Sequence, residues 1–143
     1  MTGDARDIGS ALRRFLVGSR QRGLVSAYLF GSHAAGRAHR DSDVDVAALL
    51  AWDVYPTAKD RFDRGVGLSA LLGEVLGTTR IDLVVLNDVP PHLGRHIVTS
   101  GQRIFCSDPE GDHAFVRDVQ LRAADLEPFL RRTRRVKLGA IRR

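Results

Sequence analysis

The sequence has few of the residues that small proteins use as staples. A single cysteine, Cys106, stands among 143 residues, so no internal disulfide can form, and the chain reads as built for a reducing compartment. No apolar run approaches the ~20 residues that span a bilayer. The longest candidates, such as Val46 to Trp52, are strand-sized. Met1 to Ile8 lacks the basic-then-apolar order of a secretory signal. No G-x4-G-K-[ST] loop occurs, which excludes ordinary kinase or ATPase chemistry. Repeats, low-complexity tracts and long Pro/Gly/Ser linkers are also missing. These absences lead us to expect one cytoplasmic domain with no membrane attachment.

What the chain does have is length and apolar content. Hydrophobic residues make up 43%, and a chain of this size buries roughly two-thirds of its unfolded surface. The formal charge is +5, but it is unevenly placed. Met1 to Val116 carries 13 basic and 14 acidic residues, net −1, whereas Arg117 to Arg143 carries 9 basic and 3 acidic, net +6. The expected organisation is a body over residues 1–112 and a basic C-terminal helix or arm over 113–143, packed on the same domain.

Helical spacing of Ile8, Leu12, Phe15 and Leu16 predicts a helix over Asp4 to Arg22, stopped by Gly23. Leu24 to Phe30 and Val44 to Leu50 read as neighbouring strands. Ala58 to Leu76 reads as a helix whose apolar face is Phe62, Val66, Leu72 and Val75, weakened by Gly65, Gly67 and Gly73. Ile81 to Leu86 is a third strand, Pro91 to about Thr99 a helix opened by proline, and Gln102 to Cys106 a short edge strand. A last helix from His113 carries Phe115, Val119, Leu126, Phe129 and Leu130, with a kink or break at Pro128. The order α-β-β-α-β-α-(β)-α predicts an α/β (α+β) fold, a small mixed sheet flanked by helices.

The chemistry lies between the first and third strands. Gly31-Ser32 closes the first strand, and Asp43 and Asp45 open the second, giving G-S-x10-D-x-D. Residues two apart on a strand share a face, so Asp43 and Asp45 project two carboxylates into one volume. Such an arrangement suits a divalent cation with oxygen ligands, Mg²⁺ or Mn²⁺. Asp82 completes a triad if its strand lies beside the second. Three carboxylates can hold two ions, the arrangement that serves in-line phosphoryl displacement. Gly31 lets backbone approach a phosphate, and Ser32 adds a hydroxyl and an amide. Chance produces this pattern in a chain of this composition in only about 0.7% of cases. Reading the acids as a surface turn is also awkward for Asp45, which sits at the start of an apolar run.

LFGSHAAGRAHRDSDVDVAALL followed by IDLVVL resembles the nucleotidyltransferase (DNA polymerase β-like) superfamily. In length the chain is similar to the minimal nucleotidyltransferases, the antitoxin members of HEPN/MNT toxin–antitoxin pairs. The resemblance implies that Gly31, Ser32, Gly36 and Ser42 cradle the triphosphate of ATP. It implies that Asp43 and Asp45 hold Mg²⁺, with Asp82 as third ligand and as base for an attacking hydroxyl. It further implies transfer of AMP to a tyrosine of a partner HEPN ribonuclease, which silences it. One departure is Ala35 before Gly36, where the family usually has Arg or Lys; Arg37 and Arg40 are the replacements to consider.

Other residues read more blandly. His92 and His96 suit a helix surface better than a metal site. His33 and His39 flank the phosphate loop. Tyr28 and Trp52 suit packing better than base stacking, and Cys106 reads as an apolar filler. No R-x4-6-H spacing occurs, so the chain resembles the antitoxin, not the ribonuclease. Arg131, Arg132, Arg134, Arg135 and Lys137 are read either as a solvated helix end or as a partner-docking arm. DNA contact is the less favoured third reading, because no aromatic stands among these arginines. Two functional alternatives accompany AMP transfer: a binding-only antitoxin, and nucleotidyl transfer to a small molecule.

Overall fold

A computed structural model describes residues 5–38 and 42–141, with side chains described for 8–38 and 42–125. Its elements are α1 (Ala5–Ser19), β1 (Leu24–Phe30), β2 (Val44–Leu50), α2 (Ala58–Leu76), β3 (Ile81–Val85), a 3₁₀ turn (Leu86–Asp88), α3 (Pro91–Ser100), β4 (Gln102–Cys106) and α4 (Pro109–Ile141). The sheet order is β3-β2-β1-β4. β1 runs antiparallel to both β2 and β4, while β2 and β3 are parallel, joined by α2 as the crossover. This is the mixed sheet flanked by helices that the order of apolar segments predicts.

Both faces of the central strands are covered, which is why β1 and β2 read as unbroken apolar runs. Leu29, Val46, Ala48 and Leu50 meet Leu12 and Leu16 of α1 and Leu68 and Leu72 of α2 on one face. Tyr28, Ala47 and Leu49 meet Ile97 of α3 and Phe115 and Val119 of α4 on the other. Alternation along β2 therefore puts Asp45 on the α3/α4 face, at the end of the strand where the apolar layer begins.

Three expectations are corrected. The buried face of α2 is Arg61, Gly65, Leu68 and Leu72, whereas Phe62 and Val66 are 67% and 55% exposed. Hydrophobic spacing misplaced the stripe because two of its four members are not apolar by type. Gly65 is buried because α2 lies so close to β3 that an added Cβ would stand 3.0 Å from Val85 Cγ2. Arg61 is buried because Asp88 accepts from its Nε and Nη2 at 2.9 Å each, while the Trp52 ring lies 4.8 Å below the guanidinium. Second, α4 begins at Pro109, not His113: Asp108 Oδ1 accepts from the Gly111 amide, and proline suits a first helical position. Third, of the two alternatives at Pro128 the break is overturned: α4 continues through it, where proline removes one backbone donor from a 33-residue helix without ending it.

Candidate active site

The sheet register assembles what the sequence separates. Phe30 pairs with Asp45 across β1 and β2, and Asp45 pairs with Asp82 across β2 and β3. The backbone amide of Val44 donates to the Arg80 carbonyl at 2.8 Å, drawing the starts of β2 and β3 together. Asp43, Asp45 and Asp82 therefore meet at one end of the sheet, with Gly31 directly beyond Phe30. Gly31 has φ +72°, and a Cβ there would collide with the Asp45 carboxylate. Only glycine allows the turn to pass over that acid.

From Gly31 the chain coils tightly, with Ala35 N–H donating to the Gly31 carbonyl at 3.1 Å and Arg37 N–H to the Ser32 carbonyl at 2.9 Å. Gly36 has φ +73° and open space around its Cα. His33 lies in this loop with both ring nitrogens buried and without a hydrogen-bond partner among the described residues. His39, Arg40 and Asp41 fall outside the described residues; Ser42 is half-buried at the entry to β2.

The electrostatics are those of crowded acids. Burial pushes the Asp45 carboxyl up from its ordinary value, the charges of Asp82 and Asp43 push it further, and His33 opposes them. An anionic cluster in a partly buried site suits a divalent cation, and carboxylates are the donors Mg²⁺ prefers. Yet among the described residues no three side chains already converge on one point as a closed metal cage. The donor set fits a cation, and the carboxylates would swing inward to meet it.

Residues that sequence reasoning singled out elsewhere stay apart from this cluster. Tyr28 is 4% exposed and cannot stack on a base. His92 and His96 are exposed on α3. The side chains of the basic tail, Arg131 to Lys137, lie outside those described. One feature went unseen in the sequence. Asp112, 3% exposed, accepts from Ser26 Oγ at 2.6 Å, Tyr28 Oη at 2.9 Å and Arg103 Nη1 at 2.9 Å. It ties the first turn of α4 to β1 and β4. The Tyr28 hydroxyl is pushed well up by burial and by its bond to Asp112. With the helix start read at His113, Asp112 carries no signal in the sequence; only the true start at Pro109 makes it a first-turn acid, itself a common surface placement.

The glycine turn at Gly31 thus lies over the paired strand carboxylates Asp45 and Asp82. Residues 17–110 match the polymerase beta nucleotidyltransferase family, and the chain belongs to that family. It is similar to the protein adenylyltransferase MntA of Shewanella oneidensis, with 29% identity over 94 residues, covering 66% of this chain and 63% of that protein. Its fold is also that of a chain in a toxin–antitoxin crystal structure with AMP-PNP. There the TM-score is 0.64 at 24% identity, over 94% of this chain and 98% of that one. A chain in the complex of tri-AMPylated Shewanella oneidensis HEPN toxin with MNT antitoxin gives a TM-score of 0.60 at 20% identity, over 97% and 99%. No helix among the described residues is long and apolar enough to cross a membrane.

Proposed function

We propose that the chain is an antitoxin that uses Mg-ATP to transfer AMP to a tyrosine hydroxyl of a partner HEPN ribonuclease in the cytoplasm, neutralising it. The observation that carries this reading is the pairing of Asp45 with Asp82 under the Gly31 turn. The similarity to MntA across the same segment supports it.

Each group has a task. The coiled Gly31–Gly36 backbone, with Ser32 and Ser42, receives the triphosphate. Asp43, Asp45 and Asp82 would hold one or two Mg²⁺ ions, with Mn²⁺ as substitute. The bound cation supplies charge neutralisation at the phosphates. Asp82, on the outermost strand, accepts the proton of the incoming hydroxyl. The hydroxyl oxygen bonds to the α-phosphorus of ATP, the bond to the bridging oxygen breaks, and pyrophosphate leaves. Residues 1–112 form the catalytic body together with the start of 113–143, whose Phe115 and Val119 pack on the sheet. The basic remainder of 113–143 is the arm that joins it to the partner.

The test is to incubate the chain with Mg²⁺, ATP and the product of the adjacent gene, then weigh that product intact. One or more added AMP units are expected. No added mass, together with undiminished neutralisation by an Asp43→Ala variant, would sink the enzymatic reading. It would leave an antitoxin that acts by contact, the reading favoured by the missing cation at Ala35.

A further inference from the structure

One buried group near the acids has no task in the proposed transfer. His33 is half-buried in the loop after Gly31, with Nδ1 and Nε2 both covered and neither hydrogen-bonded among the described residues. Buried polar atoms without partners are rare in folded proteins, because each forfeits its bonds to water. Arg64 Nε is also unpartnered, but that side chain still donates through Nη2 to Gln21. The surroundings of His33 name its partner. The Asp45 carboxylate lies under the Gly31 turn, so close that a Cβ on Gly31 would collide with it. His33 follows in a coil held by the backbone bonds from Ala35 to Gly31 and from Arg37 to Ser32. The ring is within electrostatic reach of that carboxylate, since its charge opposes the push that burial, Asp82 and Asp43 exert on Asp45.

We infer that His33 is a positioning residue for Asp45: its ring N–H donates to the Asp45 carboxylate when that carboxylate turns to a cation, and holds it there. The inference rests on the reading of Asp45 as a cation ligand and adds the group that orients it. A neutral imidazole carries one N–H donor and one acceptor, so the bond needs no change of protonation. A carboxylate that binds an ion through one oxygen keeps lone pairs on the other, and a donor to them fixes the direction of the ligand. Both groups gain. The imidazole obtains the acceptor it lacks, and the carboxylate obtains a donor among like charges. Two rival roles are disfavoured. Direct ligation by the ring is unneeded, because carboxylates supply the oxygen donors that Mg²⁺ prefers, and among the described residues no three ligating side chains converge. Contact with the triphosphate is disfavoured because both nitrogens are covered.

The experiment compares wild type with His33→Phe, which keeps a ring and removes both nitrogens, and with His33→Gln, which loses the ring and keeps an amide donor. His92→Gln, at an exposed position on α3, is the control. Mn²⁺ alone is titrated into the nucleotide-free protein and followed by electron paramagnetic resonance, with Mg²⁺ measured by competition. Donors behind a metal ligand change affinity by about ten- to a hundredfold, so His33→Phe should bind both ions at least tenfold more weakly. Its melting temperature without metal should equal or exceed that of wild type, because no hydrogen bond is lost. His33→Gln should recover most of the affinity, and His92→Gln should match wild type. A histidine that only fills space gives the reverse order, with Phe tolerated better than Gln. Wild-type affinity in His33→Phe, or no recovery in His33→Gln, overturns the inference. Strong nitrogen coupling in the spin-echo spectrum of wild type with Mn²⁺ also overturns it, making His33 a direct ligand. Wild type that binds neither ion removes the positioning role together with the cation site. If the product of the adjacent gene gains no AMP from wild type while His33→Phe still loses cation affinity, the positioning role stands and the adenylyltransferase reading falls.

Discussion

Asp45 and Asp82 face each other across the parallel pair β2–β3, on neighbouring strands and on the same side of the sheet. With Asp43 two residues away, they form a partly buried group of acids that folding alone does not favour.

Relieving that repulsion should stabilise the metal-free protein. Asp45→Asn is expected to raise stability by about 1 kcal/mol and to abolish AMP transfer, checked by thermal melting and intact mass. Wild type should gain about 1.4 kcal/mol from Mg²⁺ at ten times its dissociation constant, and the variant much less. The pH dependence follows from the upward shift of the Asp45 carboxyl. The folded state holds this proton more tightly than the unfolded chain. The contribution is therefore present below the ordinary carboxylate range and lost as pH rises through the raised value. Melting of the metal-free wild type should show that loss, and Asp45→Asn should not.

Gly31→Ala would place a Cβ against the Asp45 carboxylate on a backbone with φ +72°. A cost of about 1–3 kcal/mol is expected, read as a lower urea midpoint. AMP transfer should fall with it, because relief requires either the loop or the carboxylate to move. Activity equal to wild type would show that the turn need not lie over the acid.

Removing the acceptor at Asp112 leaves Ser26, fully buried, and Tyr28, nearly so, without their shared partner. Asp112→Ala should cost about 3 kcal/mol, whereas Tyr28→Phe, which removes one donor, should cost about 1 kcal/mol. Urea unfolding of the two variants separates these values. Equal costs would show that Asp112 is not the hub.

Tyr28 predicts an alkaline limit. Its hydroxyl is held protonated by burial and then by Asp112, so above about pH 10 the unfolded chain releases a proton that the folded state retains. Stability should fall as pH rises through that range. In a Tyr55→Phe background, tyrosinate absorbance should appear only together with unfolding. Ionisation in the folded protein would contradict the burial of Tyr28.

The helix α2 shows where reading the chain directly works and where it does not. Its limits, Ala58 and Leu76, agree with the spacing and with the stop at Gly77. Its buried face does not, because Gly65 and Arg61 owe their burial to β3 and Asp88, which local spacing does not register. The site divides similarly. Gly31, Ser32, Asp43 and Asp45 are legible as a motif, since strand periodicity alone puts the two acids on one face. Asp82 became their neighbour only through the parallel pairing of β2 with β3.

The sequence by itself determined the order of elements, the glycine turn and the paired acids, because these depend on periodicity and backbone freedom within a few residues. The tertiary structure alone decided which strands lie side by side, which face of α2 meets the sheet and where Asp112 is buried. Those outcomes depend on contacts between distant segments, such as Ser26 with Asp112, whose energies appear only when the chain closes on itself.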